Sequence, residues 1–401
     1  MPTAIFTEQV TDPMAWTGAD FASKEDFAFD LSSRNVAALE SILAKTSHKD
    51  RDDITPDDAR HPDLDEDLAR LYRDLMFGKG LACVRGFPVD QHSIEDLERI
   101  YWAFCTHLGY LVSNNSFGHR MVRVQEEILP NGVQPARGTK SRAELAMHND
   151  AADILSLLCV YPAAQGGESQ FASGPAAHNR ILAERPELLE VLYQGFPHHR
   201  RSEQPDDQPD VTPYDVPVFS QIDGRICINF TYSSILPAMK TIGREFTPEQ
   251  DEAVELLRNI LVEQQVEFRL ESGEAAVANN FAMCHSRSDF VSSNDPKKAR
   301  CFLRAWMEVP REDRRLPIGR EYFHMENKDL RLGYDIVDGR DGSIARNDYK
   351  NVNPELADSS RRRKRSPKPD SERTAATGLR TLDRSCRRGH TRCRGHRRRQ
   401  A

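Results

Sequence analysis

The stretch 144-ELAMHNDAADILSLLCVYPAAQGGESQFAS-173 contains both the strand pattern of the fold and the first candidate metal ligands. In a strand, residues i and i+2 point to the same face, so His148 and Asp150 can direct an imidazole and a carboxylate to one point. The apolar run DILSLLCVYP predicts a buried strand, and the Gly-Gly pair before ESQFAS predicts a turn. A histidine and an aspartate two residues apart are common, so the rest of the chain has to decide whether they bind metal.

The strand pattern continues from about residue 120 to residue 310, and helical periodicity dominates before it. Many short strands with long insertions and outer helices predict a mainly β fold with flanking helices, of the jelly-roll kind. The predicted helices cover 35–45, 64–77, 93–109, 173–195 and 247–264. The predicted strands cover 81–89, 119–127, 144–150, 153–162, 168–173, 216–220, 225–232, 265–270, 275–285 and 300–309.

Composition narrows the class of protein. The chain has 401 residues, of which 38% are hydrophobic, enough to bury a sizeable core. No apolar run reaches the length of a membrane span, and the N-terminus lacks the basic and apolar regions of a secretory signal, so we expect a cytoplasmic protein without a membrane partner.

Six scattered cysteines in mostly apolar surroundings predict buried reduced thiols, not disulfides: Cys83, Cys105, Cys159, Cys227, Cys284 and Cys301.

Charge is divided unevenly along the chain. Residues 361–401 contain 16 Lys and Arg but 3 Asp and Glu, whereas residues 1–360 carry a net charge of −20. An acidic body argues against nucleic acid as a partner, except through the basic tail. The tail has almost no apolar residues, which predicts disorder or an out-of-frame translation. Its four potential zinc ligands match no common zinc-finger spacing: Cys386, His390, Cys393 and His396.

A third candidate metal ligand and two arginines follow in the second half of the chain. His285 ends the apolar run ANNFAMCH, where a side chain can be held rigidly. Two histidines and one carboxylate form the ligand set of non-haem Fe(II) sites, which leave positions for a co-substrate and oxygen. In the strand RCFLRAWMEV, alternation puts Arg300 and Arg304 on one face with Phe302 and Trp306. An arginine in a dry cavity could bind the far end of an anionic keto acid co-substrate through charge-assisted hydrogen bonds.

Each of these features also has a purely structural interpretation. A histidine after an apolar run is often a hydrogen-bonded core residue, and arginines on a strand can lie at a solvated edge. The order and spacing of the features favour a functional site. The Gly-Gly pair begins 16 residues after Asp150, His285 follows His148 by 137 residues, and Arg300 follows 15 residues later.

With these motifs the sequence resembles the taurine dioxygenase and TfdA-like Fe(II)/2-oxoglutarate oxygenases, within the clavaminate synthase-like superfamily. The resemblance runs from Gly80 to Pro310. Its motifs are His148-Asn149-Asp150, Gly166-Gly167-Glu168-Ser169, Asn280 with His285-Ser286-Arg287, and Arg300-Cys301-Phe302-Leu303-Arg304. The resemblance implies a double-stranded β-helix fold, with Fe(II), 2-oxoglutarate and O2 as cofactor and co-substrates.

The resemblance also implies roles for individual residues. His148, Asp150 and His285 would bind iron and form the catalytic centre. The hydroxyl of Ser169 would contact 2-oxoglutarate, and Arg300 would bind its distal carboxylate. Arg304 matches a second arginine of the family that helps to bind the co-substrate or an anionic substrate group, and which arginine does which stays open. Because halogenating relatives lack the carboxylate, Asp150 favours hydroxylation.

The implied function is oxidation, with hydroxylation as the first expectation, of a small anionic metabolite, with release of succinate and CO2. The oxygenase domain would cover 31–356, with a helical N-terminal part and a jelly-roll core at about 80–310. An irregular segment at 1–30 would precede it, and a basic disordered tail at 357–401 would follow.

The candidate substrate-contacting residues are Asn114, Asn115, Glu144 and Tyr232, together with Arg304 of the last motif. The Pro- and Asp-rich segment 196–216 is predicted to be an exposed loop that could cover a site, and it contains His198 and His199.

Two other functions remain as alternatives. The first is a jelly-roll protein that binds metal or ligand without turnover. The second is an RNA- or DNA-associated oxygenase that the basic tail recruits, in which case deleting residues 361–401 would abolish nucleic-acid retention. A homo-oligomer is compatible with the family resemblance.

Overall fold

Two β-sheets lie at the centre of the fold, and helices cover their outer faces. The computed structural model describes residues 4–115, 118–126, 140–201, 204, 209–222, 224–295, 298–310, 313 and 315. The helices in this part of the chain are α1 (Ser33–Lys45), α2 (Pro62–Phe77), α3 (Ile94–Thr106), α4 (Gly174–Glu184), α5 (Pro186–Gln194), α6 (Tyr232–Thr241) and α7 (Pro248–Glu263).

The strands are short, as the sequence predicts. They are β1 (Ala28–Asp30), β2 (Leu81–Arg85), β3 (Tyr110–Val112), β4 (Met121–Gln125), β5 (Leu145–His148), β6 (Ile154–Tyr161), β7 (Gln165–Gly166), β8 (Ser169–Ser173), β9 (Phe219–Ile222), β10 (Arg225–Ile228), β11 (Val266–Phe268), β12 (Glu274–Asn279), β13 (Met283–Arg287), β14 (Phe290–Val291) and β15 (Cys301–Glu308). Together with the outer helices they confirm the prediction of a mainly β architecture with flanking helices.

The larger sheet has seven strands, in the order β1-β2-β12-β6-β15-β3, with β4 also paired to β15. The smaller sheet has four strands, in the order β11-β8-β13-β5. Only the pair β1-β2 is parallel among the pairings of these two sheets within the described residues. Two further two-stranded ladders, β9-β10 and β7-β14, lie outside them.

Several clusters of buried apolar residues hold these layers together. Helices α1, α2 and α3 cover one face of the larger sheet, where Phe104 and Leu303 are buried. Helices α4, α5, α6 and α7 cover the outer face of the smaller sheet, where Leu257 and Cys284 are buried. A third cluster fills the space between the sheets and includes Phe171. The smaller sheet therefore presents one face to helices and the other to the larger sheet.

The helix predictions are confirmed, with one split and one omission. The predicted helix 173–195 is two helices, because Pro186 cannot continue the hydrogen bonding of α4 and instead begins α5. Helix α6, which the sequence did not predict, begins at Tyr232, whereas the strand predicted as far as Tyr232 ends at Ile228. Helix α3 begins as predicted, with the Ser93 hydroxyl accepting the backbone N–H of Asp96.

The apolar run 275–285 is also divided, although it reads as one strand in the sequence. Strand β12 ends at Asn279 in the larger sheet, and β13 begins at Met283 in the smaller sheet. The backbone N–H of Ala282 donates to the carbonyl of Asn279 at 3.1 Å in the turn between them. This turn carries the chain from one sheet to the other just before His285.

The prediction of an exposed loop over 196–216 is wrong at both ends of that segment. Phe196, His198 and Val216 are fully buried. Phe196 pairs with Val216 in a short antiparallel bridge, and its ring lies 5.6 Å from that of Phe246. Apolar residues at the two ends therefore fix the segment to the helical side of the smaller sheet.

Other sequence predictions concern thiols, membranes and the tail. The six cysteines in the described part of the chain are buried and free, as predicted. None of the helices described here is long and apolar enough to cross a membrane. The tail at 357–401, with its four potential zinc ligands, lies outside the described residues.

Candidate metal centre and adjoining cavity

The two candidate histidines lie on neighbouring strands. His148 ends β5 and pairs directly with His285 of β13 across the antiparallel ladder. Their ring centroids are 4.2 Å apart. The Nδ1–H of His148 donates to the carbonyl of Ala146 at 2.9 Å, so the lone pair of this imidazole is on Nε2.

Asp150 completes a cluster of three candidate metal ligands. Its Oδ1 lies 3.7 Å from Nε2 of His148, and its Oδ2 lies 3.8 Å from Nε2 of His285. One ligand atom from each of the three residues lies within 4.8 Å of the other two. Metal bonds to imidazole and carboxylate are about 2.0–2.2 Å long, so atoms at these separations can reach one ion.

Two buried asparagines fix the backbone at Asp150. The side chain of Asn280 accepts the N–H of Asp150 at 3.0 Å and donates to the carbonyls of Asp150 and Ala152 at 2.6 and 2.7 Å. The side chain of Asn149 donates to the carbonyls of Asn280 and Met283 at 2.6 and 2.9 Å. These bonds join the end of β5 to the turn before β13, a role that the sequence motif did not reveal.

Strand β15 supplies two groups that hold the carboxylate of Asp150. The indole N–H of Trp306 donates to Oδ2 at 2.8 Å, and Nη1 of Arg304 lies 3.4 Å from the same oxygen. The guanidinium of Arg304 stacks on the Trp306 ring at 4.6 Å and donates through Nε to Asn114 at 3.1 Å. The predicted alternation of β15 therefore brings both side chains to the metal ligand.

The electrostatic surroundings favour the protonation states that bind metal. Burial lowers the pKa of His148, and burial together with His148 lowers the pKa of His285 to about 3. Burial acts in the opposite direction on Asp150, but the positive charge of Arg304 and the hydrogen bond from Trp306 favour the ionised form, and the pKa of this carboxyl is lowered. Neutral imidazoles and an ionised carboxylate are the forms that coordinate divalent cations.

Removing the Trp306 hydrogen bond should weaken metal binding. We expect Trp306→Phe to reduce the affinity for Mn(II), measured by calorimetry, by about 10–100-fold, the usual effect of losing a hydrogen-bond partner of a metal ligand. Trp16→Phe is the matched control, because it removes an indole hydrogen bond to the carbonyl of Lys79 away from the site. Equal affinities for wild type and Trp306→Phe would contradict this role.

A cavity opens beside the three candidate ligands, and Ser169 and Arg300 line it. Arg300 is 6% exposed, and its guanidinium lies 4.1 Å from the ring centroid of Phe302 and 5.0 Å from that of Phe290. Its Nε is buried and has no hydrogen-bond partner among the described residues. Burial and the neighbouring Arg287 lower the pKa of Arg300 to about 10, so the side chain stays cationic at neutral pH.

The Gly-Gly turn shapes the wall beside Arg300. Gly166 and Gly167 have φ angles of 67° and 75°, which favour glycine. A Cβ at Gly166 would lie 2.2 Å from the carbonyl oxygen of Asp289, too close for any side chain. This close approach lets the chain turn into β8, whose first residue, Ser169, faces the cavity.

The structure places the other predicted substrate residues elsewhere. Glu144 and Tyr232 line a second cleft, which lies beside α7. Asn115 bonds to His119 in a local turn, whereas its buried neighbour Asn114 accepts from Arg304. Of the residues proposed for substrate contact, Arg304 lines the cavity beside the candidate metal ligands.

Comparison with known proteins gives a family and a fold. Residues 49–306 match the model of the family described as "Taurine catabolism dioxygenase TauD, TfdA family". FR-33289 synthase of Streptomyces rubellomurinus (strain ATCC 31215) is 28% identical over 248 residues, which cover 60% of this chain and 73% of that protein.

Two solved structures have a similar fold. Asparagine oxygenase in complex with Fe(II), 2S,3S-3-hydroxyasparagine and succinate has a TM-score of 0.51 and 17% identity, over 70% of this chain and 94% of that one. The non-haem iron oxygenase OrfP in complex with Fe and alpha-ketoglutaric acid has a TM-score of 0.52 and 15% identity, over 72% of this chain and 99% of that one. Since the family match covers more than half of the sequence, the chain belongs to the TauD/TfdA dioxygenase family of Fe(II)- and 2-oxoglutarate-dependent oxidoreductases, which confirms the resemblance.

Proposed function

We propose that the protein hydroxylates a small anionic metabolite in a reaction that consumes 2-oxoglutarate and O2 and releases succinate and CO2. One observation carries this proposal. The ligand atoms of His148, Asp150 and His285 lie in the wall of the same cavity as a buried arginine, Arg300, that has no carboxylate partner among the described residues. A metal that binds a keto acid and a cation that binds its far end both fit this arrangement.

The donor set suits Fe(II). Two neutral imidazoles and one carboxylate leave coordination positions for a bidentate keto acid and oxygen. In the proposed mechanism His148, Asp150 and His285 hold the ion, while Trp306 and Arg304 orient the carboxylate of Asp150. Bound iron supplies the oxygen-activating redox chemistry, and the protein supplies the orientation and the dry pocket. The carboxylate ligand favours hydroxylation, because it occupies the position where a halide would bind.

Arg300 is the better of the two arginines for the distal carboxylate of 2-oxoglutarate. Arg304 already contacts Asp150 and donates to Asn114. Arg300 instead contacts the rings of Phe290 and Phe302, and its Nε has no hydrogen-bond partner among the described residues, so this donor can bind a carboxylate. Ser169 lines the same cavity and would donate its hydroxyl to the co-substrate.

Positive charge near the metal site supports an anionic substrate. Arg304 lines the cavity, and the charge of Arg201 contributes to lowering the pKa of His148. Under this proposal these two arginines would attract a carboxylate or similar group on the substrate. Among the candidates for substrate contact, Glu144 and Tyr232 would act from the second cleft and Asn115 from its local turn.

The proposal also covers the fold, the domain bounds, the cellular location and the assembly of the protein. We infer that the two facing sheets form the double-stranded β-helix of a domain at 31–356, with a core at about 80–310. The six buried free cysteines support a reducing, cytoplasmic location. A basic disordered tail at 357–401 and a homo-oligomeric assembly are further expectations.

The direct test is succinate formation from 2-oxoglutarate with Fe(II), ascorbate and O2. Slow succinate formation without the prime substrate is expected, and screening for stimulation would begin with amino acids, because the asparagine oxygenase structure holds a hydroxyasparagine. A non-catalytic metal-binding protein would bind Mn(II) and produce no succinate. Absence of succinate, together with absence of 2-oxoglutarate binding in calorimetry, would refute the proposed function.

A further inference from the structure

Arg287 is a second buried arginine of the cavity, and none of the roles above uses it. It ends β13, two residues after His285, and is 7% exposed. Its Nη2 donates to the carbonyl of Ser141, at 3.2 Å, and to that of Ala143. Its Nη1 is buried and has no hydrogen-bond partner among the described residues. Nη2 of this guanidinium is therefore hydrogen-bonded to the protein, whereas Nη1 is a buried donor without an acceptor among the described residues.

The ladder places Arg287 beside the candidate co-substrate residues. Arg287 of β13 pairs directly with Ser169 of β8, and both line the cavity. The guanidiniums of Arg287 and Arg300 stack on the same ring, that of Phe290, at 4.6 and 5.0 Å from its centroid. Two cations and a hydroxyl therefore line the same cavity.

This arrangement is costly without an anion. Within the described residues neither Arg287 nor Arg300 forms an ion pair, and the nearest acidic influence on Arg287 is the charge of Asp289. Burying two like charges in the wall of one cavity is unfavourable unless an opposite charge and its hydrogen bonds compensate. A carboxylate with two oxygens can accept from both guanidiniums and from Ser169 at once.

We propose that Arg287 and Arg300 together bind the distal carboxylate of 2-oxoglutarate, with Arg287 as a second co-substrate-binding residue. This inference rests on the proposed function and deepens it. Arg287 would add to the preference for a keto acid with a second carboxylate, because a neutral end group would leave Nη1 of Arg287 without an acceptor.

The test compares two keto acids of the same chain length. 2-Oxovalerate can chelate the metal through its keto acid end as 2-oxoglutarate does, but it has a methyl group in place of the distal carboxylate. Calorimetry on the full chain loaded with Mn(II) gives the affinity ratio of 2-oxoglutarate to 2-oxovalerate. We expect Arg287→Gln to lower this ratio by about tenfold, through weaker binding of 2-oxoglutarate alone.

The ratio separates ligand binding from a structural role. If Arg287 only holds the segment at Ser141 and Ala143, Arg287→Gln will change both affinities by the same factor, and the unchanged ratio would overturn the inference. Should that variant fail to fold, Arg287→Lys keeps the charge but loses the forked geometry, and it should lower the ratio by about threefold. A wild-type ratio in Arg287→Lys would overturn the inference equally.

A double variant and the wild type complete the experiment. Because both arginines would act on one carboxylate, the effects of Arg287→Gln and Arg300→Gln on the ratio should not add in the double variant. Fully additive effects on the ratio would overturn the inference that the two arginines bind the same carboxylate. If the wild type binds neither keto acid, the proposed function itself fails, whereas intact binding with an unchanged ratio removes only the role of Arg287.

Discussion

Replacing His285 by alanine is expected to abolish iron-dependent succinate formation and to weaken metal binding by more than about 100-fold. Loss of a hydrogen-bond partner of a metal ligand costs about 10–100-fold in affinity, so loss of the ligand itself should exceed that range. The remaining His148 and Asp150 would offer two ligand atoms where the described cluster offers three. Calorimetry with Mn(II) and the succinate assay measure the two effects separately.

A distant histidine gives the matched control for this substitution. His92 lies outside the cluster and pairs with Glu40 at 3.0 Å, so His92→Ala should retain metal affinity and succinate formation. His148→Ala should behave like His285→Ala, because the two imidazoles face each other across one ladder. Wild-type metal affinity in both site variants would show that these residues do not form the metal centre.

Replacing Arg300 by glutamine is expected to raise the KM for 2-oxoglutarate by about 10–100-fold. A charge-assisted hydrogen bond in a buried site contributes about 1.5–3 kcal/mol, which corresponds to that range. The kcat at saturating 2-oxoglutarate should change much less, because Arg300 is proposed to bind the unreacting end of the molecule. Initial rates of succinate formation over a range of 2-oxoglutarate concentrations give both parameters.

The affinity for metal distinguishes a specific loss of 2-oxoglutarate binding in Arg300→Gln from a general disruption of the site. Arg300→Gln should bind Mn(II) as wild type does, because Arg300 does not contact Asp150. Arg123→Gln is the matched control, since Arg123 lies on the adjacent strand β4 but pairs with Glu95 and Glu98 at the surface. An unchanged KM in Arg300→Gln would remove this residue from the co-substrate site.

Local sequence patterns were sufficient for the elements that carry the site. Alternation along β15 correctly separated Arg300 and Arg304, which face the cavity, from Cys301 and Leu303, which lie in the helical core. Alternation succeeds there because side-chain direction in a strand follows from the backbone alone. The sequence also predicted that His148 and Asp150 lie together, but β5 ends at His148, and the side chain of Asn280 holds Asp150 beyond the end of the strand.

Long-range contacts decided where the chain crosses between the two sheets and which parts of the segment 196–216 are buried. The run 275–285 is apolar throughout, so nothing in its pattern marks the point where the chain leaves one sheet for the other. That point is fixed by Asn149 and Asn280, whose partners are over 100 residues away in the chain. Likewise, the polar segment 196–216 appeared exposed, but tertiary contacts bury its ends.

The sequence by itself therefore determined the mainly β class with outer helices and the arginine face of β15, because apolar periodicity and side-chain alternation are local. It also singled out His148, Asp150 and His285 as candidate metal ligands by residue type and order. Tertiary structure alone decided that Trp306 and Arg304 hold the carboxylate of Asp150 and that Glu144 and Tyr232 line another cleft. It also brought Arg287 beside Ser169. The physical reason is that strand register and the crossing between sheets are set by contacts between distant segments, which local periodicity does not encode.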